Sequence, residues 1–141
     1  MVRAGPLIRF NRLSRERRRL LLRALVALTA ASAAVAFLPF RRAIRWGSVP
    51  LGSAANGSIE DIVSAVEAAA RRVPWRTVCI EKSLAVQRML RSAGVDAVLH
   101  YGARNHAVQG KLEAHVWVTV ADRAVIGGEE AADFALLSTY P

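Results

Sequence analysis

The hydrophobic pattern of this chain changes its period once, at Gly94. Upstream, Ile59, Ile62, Val63, Val66, Ala70 and Val73 recur at helical spacing and make one stripe. Downstream the spacing drops to two: Val95, Ala97, Leu99 and Tyr101 alternate with Asp96, Val98 and His100. A 3.6-residue stripe faces one way only on a helix, and a two-residue alternation only on a strand. The chain therefore reads as helices first and sheet second. The expectation is an α+β fold, with N-terminal helices followed by a helix packed on a small antiparallel sheet.

Local signals place the boundaries. Ser14 is a candidate N-cap for a helix running to Leu38, where Pro39 stops it. Ser58-Ile59-Glu60-Asp61 opens a second helix with a capping-box-like pattern, and Pro74 closes it. Thr77 is the expected cap of a third helix, ending near Ala93 with Gly94 at the C′ position. Three strands follow: one through Tyr101, one at Glu113–Val120 after a polar loop from Ala103 to Gly110, and one at Ala124–Ile126 after a turn at Ala121–Arg123. The Gly/Ser/Pro-rich stretch Trp46–Gly57 is the expected linker. It separates a basic, apolar helical segment (1–50) from a domain over 58–141.

At 141 residues the chain is long enough for one modest core. Its net charge of +9 suggests a nucleic-acid partner until its distribution is seen. Residues 1–50 hold eleven Arg against Glu16 alone, whereas residues 51–141 hold nine basic and ten acidic residues. The domain is near neutral, and the basic arm suits phospholipid or an acidic partner better than nucleic acid. Ala24–Leu38 carries no charge over fifteen residues, about 22 Å of helix against roughly 30 Å of hydrocarbon. Three readings compete: a spanning helix, a signal peptide ending Ala34-Val35-Ala36, and a packed or interfacial helix. The last fits best. The expectation is a cytoplasmic protein with a possible membrane contact through residues 15–45.

Cys79 is the single cysteine, so neither an internal disulfide nor a Cys-rich zinc site can form; no metal or cofactor is called for. A lone thiol is either inert packing or reactive. Cys79 falls in the first turn of the third helix, where free N–H groups and the positive dipole end stabilise a thiolate and can receive an oxyanion. A thiolate nucleophile needs a base on a rigid neighbour. His100 lies on a strand and His106 in the polar loop. His115 lies inside the second strand on the same face as Trp117, and is expected to wall a cleft against the Cys79 helix.

Several blocks together resemble one family. Cys79-Ile80-Glu81-Lys82-Ser83-Leu84-Ala85 with Leu90 and Gly94, then Gly102-Ala103-Arg104, then Ala114-His115-Val116-Trp117-Val118, are similar to the transglutaminase-like peptidases of lasso-peptide maturation. Val73-Pro74-Trp75 matches that family's approach to the cysteine, and the resemblance covers residues 58–129. It implies a cysteine peptidase that removes the leader from a ribosomally made precursor peptide, with a separate leader-binding protein and an ATP-dependent cyclase as partners. Cys79 would be the nucleophile, His115 the base and Trp117 a substrate contact. The family's third catalytic residue is an aspartate about a dozen positions after the histidine. Here Gly127-Gly128-Glu129 stands in that region, and Glu129 is the nearest carboxylate. A backbone carbonyl, or an amide such as Gln87 or Gln109, is the alternative orienter. Two other functions share these residues: an acyl- or amidotransferase, and a membrane-attached binding protein with a degenerate site.

Overall fold

The computed structural model describes residues 14–53, 57–105 and 110–141. Helix α1 (Arg15–Phe37) begins at Ser14, whose side chain accepts the Arg17 N–H at 3.3 Å. A short turn of helix, α2 (Phe40–Ala43), follows Pro39. Helix α3 (Ile59–Ala70) is capped by Ser58, which accepts the Asp61 N–H at 3.1 Å. It ends four residues before Pro74, earlier than the proline alone predicts. Helix α4 (Cys79–Ser92) stops in a Schellman turn: Gly94 has φ +83°, Val95 N–H bonds Leu90 O, and Gly94 N–H bonds Arg91 O.

The sheet is antiparallel in the order β3-β2-β1-β4. Strand β1 (Ala97–Asn105) starts two residues later than its alternation suggests and takes in residues 103–105, expected as loop. Strand β2 (Leu112–Val120) pairs with it along its whole length, with Leu99 opposite Val118 and Gly102 opposite His115. A two-residue turn leads to β3 (Arg123–Ile126). A 3₁₀ turn (Gly128–Asp133) and a fourth strand, β4 (Ala135–Tyr140), complete the chain; the sequence pattern shows neither. The α+β expectation holds.

One core joins the layers. Leu21, Ala24, Leu28 and Ala31 of α1, Ile62 and Val66 of α3, and Leu84, Val86 and Leu90 of α4 pack with Ala97, Leu99, Val116 and Val118. The helices thus cover one sheet face, that of Val116 and Val118. Trp46–Ser53 is no free linker. Arg88 Nη1 donates to Trp46 O (2.8 Å), Arg91 Nε to Val49 O (2.6 Å) and Gly52 N–H to Arg91 O (2.8 Å), so α4 straps this stretch down. Gln87, fully buried, donates to Tyr140 O at 2.8 Å and so ties α4 to the end of β4.

Candidate active site

The start of α4 is built differently from the expectation. The N-cap is Val78, in extended backbone (φ −113°, ψ 175°), and not Thr77. The Glu81 carboxylate accepts the Val78 N–H at 2.8 Å, which is half of a capping box without its usual hydroxyl. Cys79 is consequently the first helical residue, a half-buried free thiol. The first backbone bond into the helix is Lys82 N–H to Val78 O, so the N–H groups of Cys79, Ile80 and Glu81 have no intrahelical acceptor, and no side chain caps them. Three donors point out of the helix beside the sulfur.

One turn along the same helix face, Ser83 Oγ donates to Val116 O at 3.3 Å. A Cβ placed on Gly127 would come within 2.8 Å of that same oxygen, so Val116 O looks out of the β2 edge that faces Gly127. Strand β3 pairs only with Val118–Val120, leaving this stretch of the edge without a strand partner. The opening turns of α4, the Val116 carbonyl and the Gly127 turn therefore meet at one free edge of β2.

His115 reaches the same edge from the other side of the sheet. Because Val116 and Val118 occupy the helix-covered face, alternation turns His115 and Trp117 to the opposite one. The expected cleft wall facing α4 is not what forms; the more apolar of the two alternating sets takes the core. The His115 ring leans to the edge, where Nε2 lies 2.6 Å from Gly127 O. A carbonyl only accepts, so Nε2 carries a proton, and in the neutral ring the lone pair is then on Nδ1. Phe134 stacks on the ring at 4.9 Å between centroids and Trp117 at 5.9 Å. Arg104 lies over Phe134 (4.5 Å) and is itself held by Glu113 (2.9 Å) and Asp133 (3.7 Å).

The remaining sequence candidates are distributed around this arrangement. Glu129 is exposed in the 3₁₀ turn and makes no hydrogen bond to His115; the orienting contact falls to Gly127, twelve residues after the histidine. Trp117, expected at the substrate, is only 8% exposed and serves as a floor, stacked against both His115 and His100. His100 bonds Thr119 Oγ1 through Nε2 at 2.8 Å, and burial lowers its pKa, with Asp122 pulling the other way. The Gln87 amide is engaged at Ala97 O and Tyr140 O and does not hold the imidazole. His106 and Gln109 lie outside the described residues. No hydrogen bond joins Cys79 to His115 among the described residues, and none of their His, Cys, Asp and Glu side chains gather in a group of three that could hold a metal. Sequence reasoning named neither Phe134 nor the specific Gly127 carbonyl. The Gly-Gly pair after a strand was the available signal for the latter.

A cysteine opening a helix that packs on a strand bearing a histidine, one ring nitrogen of which is held by a neighbouring turn, is a layout that suits thiol-dependent acyl transfer. A family model, described as transglutaminase-like superfamily, matches residues 11–139. The chain belongs to that superfamily, whose fold serves cysteine peptidases and acyltransferases. No curated protein and no solved structure matches the chain.

Proposed function

We propose that this protein is a cysteine peptidase that removes the leader of a ribosomally synthesised precursor peptide of the lasso type. The observation that supports it best is the Nε2–Gly127 O bond, because it leaves the basic nitrogen of His115 unspent on the residue where the motif requires a base. In this reading Nδ1 of His115 takes the Cys79 thiol proton, and the thiolate so formed attacks the scissile carbonyl. The unpaired N–H groups at the start of α4 receive the oxyanion. His115 hands its proton to the departing amine, and the resulting thioester is hydrolysed by a water that His115 deprotonates. Trp75 and Val78, both exposed just before the cysteine, offer an apolar surface to the peptide. The missing aspartate does not abolish the arrangement: a neutral carbonyl orients the ring, although it contributes less than a carboxylate to stabilising the imidazolium.

The test uses purified protein with a precursor peptide and its leader-binding protein, and follows leader release by mass spectrometry. Cys79→Ala should abolish release while circular dichroism stays unchanged, since alanine suits a helical position. Cleavage that persists in the variant would remove the thiol mechanism.

A further inference from the structure

Helix α1 has two apolar faces, and the peptidase chemistry uses neither. Inward, Leu21, Ala24, Leu28, Ala31 and Ala34 are buried in the core. Outward, Leu22, Val26, Thr29, Ala33, Ala36 and Phe37 share one side, within about 100° of arc. Val26 is 70% exposed and Phe37 86%. Thr29 adds no unmet donor, because its hydroxyl bonds Leu25 O at 2.7 Å and leaves the methyl outermost. The stripe from Leu22 to Phe37 is about 22 Å long. It continues sideways into a groove of about 480 Å³ that Leu22, Val26, Ala30 and Met89 line together with Arg23 and Arg88.

Cations bracket this apolar surface. Arg15 and Arg19 are exposed on the same side at its N-terminal end. Just past its C-terminal end, Phe40, Arg41, Arg42, Arg45 and Tyr140 line an open recess of about 680 Å³. The only acidic residue before Ser58 is Glu16. An apolar strip with arginines at both ends matches the section through a bilayer surface: acyl chains in the middle, phosphates around them.

We propose that the outward face of α1 lies in the headgroup layer of an anionic phospholipid bilayer, with Val26 and Phe37 toward the acyl chains and the flanking arginines on lipid phosphates. By length and hydropathy α1 could also cross a membrane: it has 23 residues and a mean hydropathy of 2.0 over its most apolar window. Crossing would pull Leu21, Ala24, Leu28 and Ala31 out of the core and expose Ile62, Val66 and Leu84, whereas lying on the surface keeps every one of these contacts.

The full chain, without precursor or partner, should co-sediment with vesicles of phosphatidylglycerol and phosphatidylcholine. Binding should be at least tenfold weaker on phosphatidylcholine alone and should fall as salt is raised. Val26→Glu combined with Phe37→Glu should weaken binding tenfold or more with unchanged helicity, both sites being exposed. Arg41→Gln and Arg42→Gln should each cost about fivefold. Failure to bind anionic vesicles overturns the proposal, as does full binding by the double glutamate variant. Capture of α1 by an acidic protein with no vesicle binding overturns it equally. Leader cleavage is not measured, so the result stands apart from the peptidase reading.

Discussion

His115 has two ring nitrogens, and Gly127 O takes one of them. A carbonyl is uncharged, so it fixes the tautomer without supplying the counter-charge of a triad aspartate. The orienting work should then be insensitive to nearby carboxylates: Glu129→Gln should leave the single-turnover cleavage rate within about twofold, whereas His115→Ala should lower it by at least about a hundredfold. A tenfold loss from Glu129→Gln would return the glutamate to the site. His100 shares the Trp117 floor. Burial holds its pKa below the ordinary 6.5, against the pull of Asp122. Above 6.5 both folded and unfolded chains carry a neutral ring. As pH falls below that, the unfolded chain binds the proton first, and stability is lost down to the folded pKa. The denaturation midpoint should therefore rise as pH increases toward 6.5, with a smaller rise in His100→Gln. Cysteine and histidine could be picked out from sequence because their side chains carry the chemistry. The Gly127 carbonyl could not, since every residue has one and only the fold aims it.

At the level of elements, the β2–β3 hairpin stores a local conflict. Its two connecting residues, Ala121 and Asp122, both have positive φ, 48° and 63°, as a type I′ turn requires. Asp tolerates this region; Ala has no such excuse, and the conformation costs it about 1 kcal/mol relative to glycine. Ala121→Gly should raise the melting temperature by about 2–4 °C, and a fall would mean that the turn is strained for another reason. The turn itself was legible, because alternation resumes at once on either side of it. Thr77 misleads because the boundary falls one residue later: Glu81 fixes the Val78 N–H from inside the helix, while the N–H groups that a cap hydroxyl would accept are left open beside Cys79. The end of β1, residues 103–105, reads in sequence as the start of a polar loop. The backbone of Gly102 and Ala103 is nevertheless held between β2 and β4, and at Gly102 an added Cβ would sit tightly against Trp117 and Phe134. Strand β4 left no trace because both its faces are largely exposed and Leu136-Leu137 breaks the alternation.

For the whole molecule, the role of α1 is set by its contacts and not by its composition. A helix buried on one side and apolar on the other shows no polar face, so its inward residues Ala24, Leu28 and Ala31 are hidden inside the uncharged run Ala24–Leu38. Only the contacts distinguish the two sides. Leu28 is fully buried among residues of α3 and α4, while Val26, two positions away, is 70% exposed. Leu28→Ala should accordingly lower unfolding stability by about 2–5 kcal/mol, a large part of the 5–15 kcal/mol expected for a domain. Val26→Ala should change it by no more than about 0.5 kcal/mol. Both are read from denaturant unfolding followed by fluorescence in a Trp46→Phe, Trp75→Phe background, where Trp117 is the one tryptophan left and reports the sheet rather than the helix. If α1 were a detachable anchor, neither substitution would move that transition. A shift from Leu28→Ala alone makes the helix part of the fold that holds α4, the helix Cys79 opens, against β2, so the outer face of α1 and the frame of the site share the same buried side chains.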